Sequence, residues 1–419
     1  MKVFKFGGAS LNSVERIQNV EKILSEYSGD GLMVITSAIG KTTNALEKVV
    51  EAFYANKKEE AIQLFNVVKQ SHLTTAKYLL VTTYNKTLEQ LNSFFTEVEW
   101  LLHDKPVQPF DYYYDQVVCV GELLSSCLVS AYLNEKGINN TWIDVRDIIR
   151  TDDKFRDANI CWDETKENML REGISNNNLI YITQGFIGST DENESTTLGR
   201  EGSDFTAAIF ANLLNAESLT IWKDVDGVMS ADPKLFPEAT LISELSFNEV
   251  IEMAFYGAQV IHPKTIKPLQ NKKISLLVKS FINPKLSGTN ISSKTSKNLP
   301  PIIVIKKNQV LIHLQTQDFS FIGERPMSKL YHYFAELGIK PNLIQTAAIN
   351  VQVCLDDQHE KIEQLALMAS EGFDVQLSKN LSLLTIRHFN DDLLKKLTEG
   401  KNTVLVQKTK ETVQVLYQE

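Results

Sequence analysis

The sequence is short of the side chains that usually hold metals or carry covalent catalysis, with 4 cysteines and 7 histidines in 419 residues. Cys119, Cys127, Cys161 and Cys354 show no CxxC spacing, and three of them sit in apolar contexts. That excludes a disulfide scaffold and a zinc ribbon and reads as buried thiols in a reducing compartment. An excess of positive charge is also missing. The formal net charge is -9 and the pI about 5.5, which argues against general binding to nucleic acid or a membrane surface. No apolar run approaches the length of a membrane span, and no secretory signal precedes the first strand. The triplets Asn85-Lys86-Thr87, Asn139-Asn140-Thr141 and Asn193-Glu194-Ser195 are therefore chance matches to the glycosylation signal. The expected setting is cytoplasmic. A P-loop is lacking too: Gly40-Lys41-Thr42-Thr43 suggests one, but the first glycine of that motif would fall on Ile35.

What is present is ordinary in amount, 43% hydrophobic and 23% charged, and sufficient for two or three domains with real cores. Met1 to Phe6 alternates like a strand and runs into Gly7-Gly8, then an amphipathic helix from about Asn12 to Tyr27. Backbone N–H groups at a glycine pair can approach a phosphate closely, and Lys5 stands beside them. Leu32 to Thr36 is a buried strand, and Ser37 to Asn44 a polar loop opening a helix, with Ser37, Thr42 and Thr43 able to bond a ligand. Ala45 to His103 reads as helix broken near Ser71 and Thr82-Thr83, forming packing or dimer surface. Phe110 to Leu133 is a helix apolar on most sides, in which Glu122 must be paired or ligated. Thr141 to Val145 is a third short strand, and Thr151-Asp152-Asp153 a capping signal.

The most informative stretch is Thr183 to Ala208. A buried strand (Leu179 to Ile182) enters a loop crossing Gly185 and Gly188, and the exit Gly199-Arg200-Glu201-Gly202-Ser203-Asp204 leads to a helix beginning near Phe205. Ser203 or Asp204 is the natural N-cap. Free N–H groups at a helix start favour negative charge, and Arg200 adds a fork for a carboxylate. The same residues suit a plain strand-to-helix connection, and this segment alone does not separate the two. Leu219 to Lys223 is a strand before a turn-rich loop, Asp224 to Lys234. Phe247 to Phe255 and His262 to Gln270 are helices, Ile274 to Val278 is a strand, and 283–297 is a polar linker. After Pro300-Pro301 come strand Val304 to Gln315, helix Met327 to Leu337, strand Leu343 to Cys354, helix Glu360 to Ala369 and strand Leu381 to Arg387. Helix Asp391 to Leu397 and strands Val404 to Lys408 and Val413 to Tyr417 follow. Such βαββ patterning predicts one or two small α+β modules for ligand sensing or dimerisation.

Taken in order, Lys5-Phe6-Gly7-Gly8-Ala9-Ser10, Ser37-Ala38 with Thr43-Asn44, Gly121-Glu122, Thr197-Leu198-Gly199-Arg200 and Gly202-Ser203-Asp204 form one series. Asp224, Gly227, Asp232-Pro233, Gly257-Ala258 and Val260-Ile261-His262-Pro263 continue it. The series resembles the aspartate kinases of the amino-acid kinase family. The resemblance implies an α/β fold, with a three-layer αβα kinase domain over 1–285 and two C-terminal α+β ACT-like modules over 300–419, the second shortened. It implies a monofunctional enzyme transferring the γ-phosphoryl of ATP to the β-carboxylate of L-aspartate, at the first step towards lysine, threonine and methionine. Mg²⁺ would be held mainly by the nucleotide phosphates, with no metal site on the protein. Lys5, Gly7, Gly8 and Asp204 are the implied catalytic residues. Ser37, Thr43, Glu122, Arg200 and Ser203 fall on the substrate, Arg200 facing its α-carboxylate and Glu122 its α-ammonium. Lys223, Asp224, Met229, Lys234, Gln259 and Val260 fall on the nucleotide side. Lysine or threonine is the implied effector, and a homodimer or larger homo-oligomer the implied assembly.

The chemistry suits this residue set. Phosphoryl transfer between two anions asks for alignment and neutralisation of charge, and a carboxylate acceptor is already ionised, so no general base is required. Five positions depart from the family pattern. Gln259 stands where relatives carry lysine, with Lys264 and Lys234 as nearby cations; Glu201 replaces a glycine; Lys223 replaces a small hydroxyl residue; and Pro341-Asn342 stands where lysine-sensing relatives show an acidic residue. These leave two alternatives: a kinase for a different carboxylate, and a catalytically weakened amino-acid-sensing subunit.

Overall fold

In the computed structural model of the chain, residues 1–27, 29–175, 178–258, 260–295 and 298–418 are described. Strand β1 (Lys2–Phe6) leads through the 3-10 turn Gly8–Leu11 into helix α1 (Val14–Ser25), whose first turn is capped by Ser13 Oγ accepting from the Arg16 N–H. Strand β2 (Leu32–Thr36) is followed by α2 (Thr42–Tyr54), α3 (Lys58–Leu79), α4 (Tyr84–His103), α5 (Phe110–Val118) and α6 (Val120–Glu135). Next come β3 (Thr141–Trp142), α7 (Trp162–Arg171), β4 (Ile180–Gln184), β5 (Ile187–Ser189), β6 (Ser195–Thr197), α8 (Gly202–Leu213) and β7 (Ser218–Lys223). Then follow β8 (Glu244–Ser246), α9 (Phe247–Phe255), α10 (Pro263–Lys272), β9 (Ser275–Ser280) and β10 (Thr289–Ser292).

These strands form an eight-stranded sheet in the order β3-β4-β2-β1-β7-β9-β10-β8, while β5 and β6 pair apart from it. Neighbours from β3 through β9 run parallel, and β10 is antiparallel to β9. Every residue of β2 is buried, so both faces of the sheet are covered, as a parallel sheet requires. The result is the three-layer αβα arrangement. The chain divides into two units. The first holds Met1–Val228, Leu241–Ile251 and Gln259–Ser296, and the second Met229–Thr240, Glu252–Ala258 and Lys297–Glu419.

Several expectations need correcting. The helical run after Ala45 does not break near Ser71, which lies inside α3; it breaks at Ala55–Lys57, where Asn56 takes φ 58, a conformation asparagine tolerates. Phe110 to Leu133 is two helices, divided at Cys119. By length and composition the combined segment Phe110–Glu135 is apolar enough to cross a membrane, contrary to the sequence reading, but 89% of its apolar window is buried within the fold. It is a core element. The capping signal at Thr151 heads no helix: Asp152 instead closes a turn by accepting from the N–H groups of Lys154 and Asn159. Helix α7 begins later, at Trp162, and its few apolar residues among many charged ones hid it. Helix α8 starts at Gly202 with Glu201 as N-cap, not Ser203 or Asp204. The supposed linker contains β10, which pairs with β8 and β9.

The second unit is built on β11 (Ile302–Thr316), α11 (Glu324–Leu337), β12 (Leu343–Thr346), β13 (Asn350–Asp356), α12 (His359–Ala369), β14 (Phe373–Arg387), α13 (Asp391–Thr398), β15 (Asn402–Lys408) and β16 (Thr412–Gln418). Its strands make one antiparallel sheet in the order β12-β13-β11-β14-β16-β15. The two ACT-like patterns therefore share a sheet, because β11 and β14, 15 residues each, pair along their length with shifts between Lys306 and Leu311. Helices α11 and α12 pack on one half through Leu330, Phe334, Ile362 and Leu365; Leu393, Leu394 and Leu397 of α13 cover the other. The polar run Gln376 to Asn380 concealed the first half of β14, and the predicted strand Leu343 to Cys354 is interrupted by residues 347–349.

Candidate active site

Strand register brings the motif residues together. Lys5 lies beside Ile35 on one side and Ile221 on the other, and Thr36 beside Gln184. The parallel strands β4, β2, β1 and β7 therefore end nearly level, and the loops after them open at one sheet edge, where open α/β sheets bind ligands. The loops approach closely there. A Cβ on Gly8 would sit 2.6 Å from the Ala38 carbonyl oxygen and 2.9 Å from that of Gly40, and the Gly40 N–H donates to the Gly8 carbonyl at 3.0 Å. Only glycine lets the β1 loop lie on the β2 loop this tightly.

A cleft of about 450 Å³ at this edge is lined by Lys5, Gly8, Ser37, Ala38, Gly40, Thr43, Tyr114, Glu122, Arg156, Phe186 and residues Gly199 through Asp204. The polar ends of β1, β2, α2, α6 and α8 thus face one space. Lys5 Nζ is 2.7 Å from Asp204 Oδ1, with side-chain exposures of 12% and 4%, so the pair is largely shielded from water. Burial pushes the Asp204 carboxyl up, but the ammonium groups of Lys5 and Lys223 and the bond from Lys5 outweigh it, holding the group below its usual range. Asp204 stays ionised and keeps the lysine in place.

Glu122 behaves oppositely. It is 2% exposed; its Oε1 accepts from the Ala38 N–H at 3.3 Å, and Oε2 has no hydrogen-bond partner. Burial raises its pKa to about 8, against the lowering effect of the Ala38 N–H, its own N–H and the Lys5 charge. A buried carboxyl with one oxygen unpartnered is costly unless a further donor or cation meets it. Arg200 supplies the opposite charge: its exposed guanidinium lines the cleft and makes no hydrogen bond or ion pair with a described residue. Ser37, Thr43 and Ser203 add hydroxyls. Gly7 does not line the cleft, though a Cβ there would come within 3.4 Å of Lys5 Nζ.

Lys223, Asp224 and Val260, expected on the nucleotide side, are not part of this lining. Lys223 Nζ donates to the Val260 carbonyl at 2.7 Å, and its charge reaches Asp204. Asp224 is ion-paired with Arg16 of α1. Lys264, a nearby cation, is paired with Asp157. Met229 and Lys234 belong to segment 229–240 of the second unit, and Gln259 lies outside the described residues. Among described residues, no group of three or more His, Cys, Asp or Glu side chains is set to hold a metal.

Sequence reasoning missed a second arginine. Arg156, at φ 67, lines the cleft with its guanidinium 4.3 Å from the Tyr114 ring centre. Its backbone N–H donates to the fully buried Asp115 at 3.0 Å, and the same carboxylate accepts from the Thr197 N–H and hydroxyl at 2.8 and 2.7 Å. An aspartate inside the apolar run of α5 was the available signal. The sequence alone did not say which distant loop it holds.

Fold and cleft define the class: an α/β protein that gathers cationic side chains and glycine-bearing loops in one cleft at its strand ends. The model of the amino acid kinase family matches residues 1–280. The chain is 32% identical over 371 residues to chloroplastic aspartokinase 1 of Arabidopsis thaliana, covering 84% of this chain and 63% of that protein. It is 28% identical to lysine-sensitive aspartokinase 3 of Escherichia coli K12, covering 95% and 89%. The structure of E. coli aspartokinase III in complex with aspartate and ADP superposes with a TM-score of 0.83 at 26% identity, covering 100% of this chain and 96% of that one. Measured against aspartokinases 1, 2 and 3 of Arabidopsis, the chain spans 63%, 66% and 64% of their lengths. This chain belongs to the amino acid kinase family.

Proposed function

We propose that this chain is an aspartate kinase, transferring the γ-phosphoryl group of ATP to the β-carboxylate of L-aspartate to give 4-phospho-L-aspartate and ADP. One observation carries the reading: the cleft that holds the Lys5–Asp204 pair also presents an unmatched guanidinium, Arg200, and a buried carboxyl with an unpartnered oxygen, Glu122. That is the charge complement of an α-amino acid, carboxylate to Arg200 and ammonium to Glu122, leaving the side-chain carboxylate free to react. Thr43, Ser37 and Ser203 supply hydroxyls to the same ligand. The relatives named aspartokinase, and the E. coli structure with aspartate and ADP, support the choice of acceptor.

In the reaction an oxygen of the β-carboxylate attacks the γ-phosphorus, the bond from that phosphorus to the ADP oxygen breaks, and no proton need move. Lys5 neutralises charge on the transferring group and Asp204 orients Lys5; Gly8, in the cleft lining, is read as lending its N–H to the same oxygens, and Gly7, outside the lining, as shaping the turn beside Lys5. Lys223, Asp224, Met229, Lys234, Gln259 and Val260 are read as the nucleotide side. Mg²⁺ bound with ATP would take its ligands mainly from phosphate oxygens, and the chemistry it supplies is further neutralisation of those oxygens. The ACT-like unit is read as the seat of an amino-acid effector, lysine or threonine, in an enzyme working as at least a homodimer in the cytoplasm.

The test is aspartate-dependent ADP formation by the purified full chain, with the acyl phosphate trapped by hydroxylamine as the hydroxamate. Signal with aspartate is expected. Signal with another carboxylate only, or ATP-independent aspartate binding without turnover, overturns the assignment in favour of a different acceptor or a sensing subunit.

A further inference from the structure

Glu201, the N-cap of α8, has φ 55 and ψ 28, the left-handed region that disfavours any residue with a Cβ. The structure around it uses that side chain. Its Oε2 accepts the backbone N–H of His262 at 2.9 Å. His262 is in turn the N-cap of α10, with Nδ1 accepting from the Lys264 N–H at 3.2 Å and Pro263 in the first turn. Two residues earlier the Val260 carbonyl receives Lys223 Nζ at 2.7 Å. Two residues later Lys264 is paired with Asp157, whose carboxylate is so placed that a Cβ on Gly199 would lie 2.6 Å from it. The segment 260–264 is therefore tied at three points, and the central tie is a carboxylate from the loop that carries Arg200 and Ser203. The same bond draws a negative charge that lines the cleft towards the positive end of α10.

We propose that Glu201 is a positioning residue: its carboxylate latches segment 260–264 to the acceptor loop Gly199–Ser203, setting the nucleotide side of the cleft against the aspartate side. Glycine at this position would relieve the backbone strain but leave the His262 N–H without this partner. Glutamine keeps an acceptor oxygen and removes the charge, so it separates a latch from a direct electrostatic effect on substrate. The kinetic form of the proposal rests on the aspartate kinase reading; the structural form does not.

The experiment compares Glu201→Gly and Glu201→Gln with the parent chain. In Glu201→Gly, hydrogen–deuterium exchange at the His262 amide and the following turn of α10 speeds up and KM for ATP rises about tenfold. KM for aspartate stays within about twofold, and the thermal midpoint stays within about 2 °C as relieved strain offsets the lost bond. Glu201→Gln restores both exchange protection and KM for ATP. Unchanged exchange in Glu201→Gly overturns the proposal, as does a fall in KM for aspartate in both variants, which would make Glu201 a repulsive charge on the acceptor. If the parent makes no ADP with aspartate, the kinase reading falls while the exchange comparison still decides the latch.

Discussion

Glu122 offers the most discriminating prediction because its protonation must change when the proposed substrate arrives. With a pKa of about 8 in the ligand-free cleft, the group is roughly nine-tenths protonated at pH 7. An α-ammonium beside Oε2 favours the ionised form, so binding aspartate at pH 7 expels about 0.9 proton per site. The cost appears as lost affinity: between pH 7 and pH 8.5, aspartate binding tightens roughly eightfold, equivalent to about 1.3 kcal/mol. Free aspartate keeps its ammonium charge through that range, so the change reports on the protein. Calorimetric titration in buffers of different ionisation heat measures the released proton, and KM for aspartate across the same pH range measures the affinity. Glu122→Gln, which retains an acceptor for the Ala38 N–H, binds aspartate more weakly and with no pH dependence of this kind. The unliganded protein carries a linked signature. Because the folded pKa lies above the unfolded value, this group's stabilising contribution is complete below about pH 4.5 and is lost as pH rises towards 8. Buffer-independent binding enthalpy together with a flat KM would refute the reasoning and remove Glu122 from contact with the ammonium.

Other outcomes follow from the same geometry. Lys5→Ala abolishes phosphoryl transfer and, by stranding the buried Asp204, lowers stability by about 3–5 kcal/mol; adding Asp204→Asn recovers stability in a denaturant titration but not turnover, and near-normal kcat in either variant would exclude Lys5 from the mechanism. Arg200→Ala raises KM for aspartate roughly 10- to 100-fold, the loss of a charge-assisted bond, while KM for ATP changes little; equal effects on both would contradict its placement on the acceptor. In the second unit, Asn342 is fully engaged, its Oδ1 accepting from Lys306 and its Nδ2 donating to Gln309 and Asp356. Position 342 itself therefore offers lysine no carboxylate, and the neighbouring Asp356 is already held by Asn342 and Gln309; lysine inhibits more weakly than threonine in parallel velocity titrations, and stronger inhibition by lysine would show that a carboxylate nearby receives its ammonium.

What the chain disclosed in one dimension depended on whether the signal was local. Lys5 and Gly8 could be singled out because strand, glycine pair and helix succeed one another within a few residues, and Glu122 because a carboxylate inside an apolar helix is costly wherever that helix goes. Strands β8 and β10, three and four residues long, carry too little alternation to be seen and owe their pairing to the larger sheet. Arg156 and Tyr114 escaped notice for another reason. Their place in the cleft follows from Asp115 reaching Thr197, 82 positions further along, a contact that no local pattern encodes. Glu201 was visible only as a charge in an awkward place. Its use emerged once α10 was seen to start beside it.

The two buried carboxyls of the cleft explain how a site for anions can include acidic groups at all. Two ionised carboxylates there would oppose both the triphosphate and the incoming side chain. Instead their environments drive them apart: Asp204 is held charged by Lys5 and Lys223, so the trio is net positive, while Glu122 is kept neutral by burial. At pH 7 the cleft thus presents cations from Lys5 and Arg200 with little charge from Glu122, which on this reading becomes fully negative at that pH when an α-ammonium is there to match it. A dicarboxylic acid lacking the amino group would leave Glu122 protonated and gain nothing from it. Succinate should accordingly bind with no proton release and with no tightening between pH 7 and 8.5. An equal proton release on binding succinate would mean that the ammonium is not what ionises Glu122, and the pairing of Glu122 with the α-ammonium would have to be withdrawn.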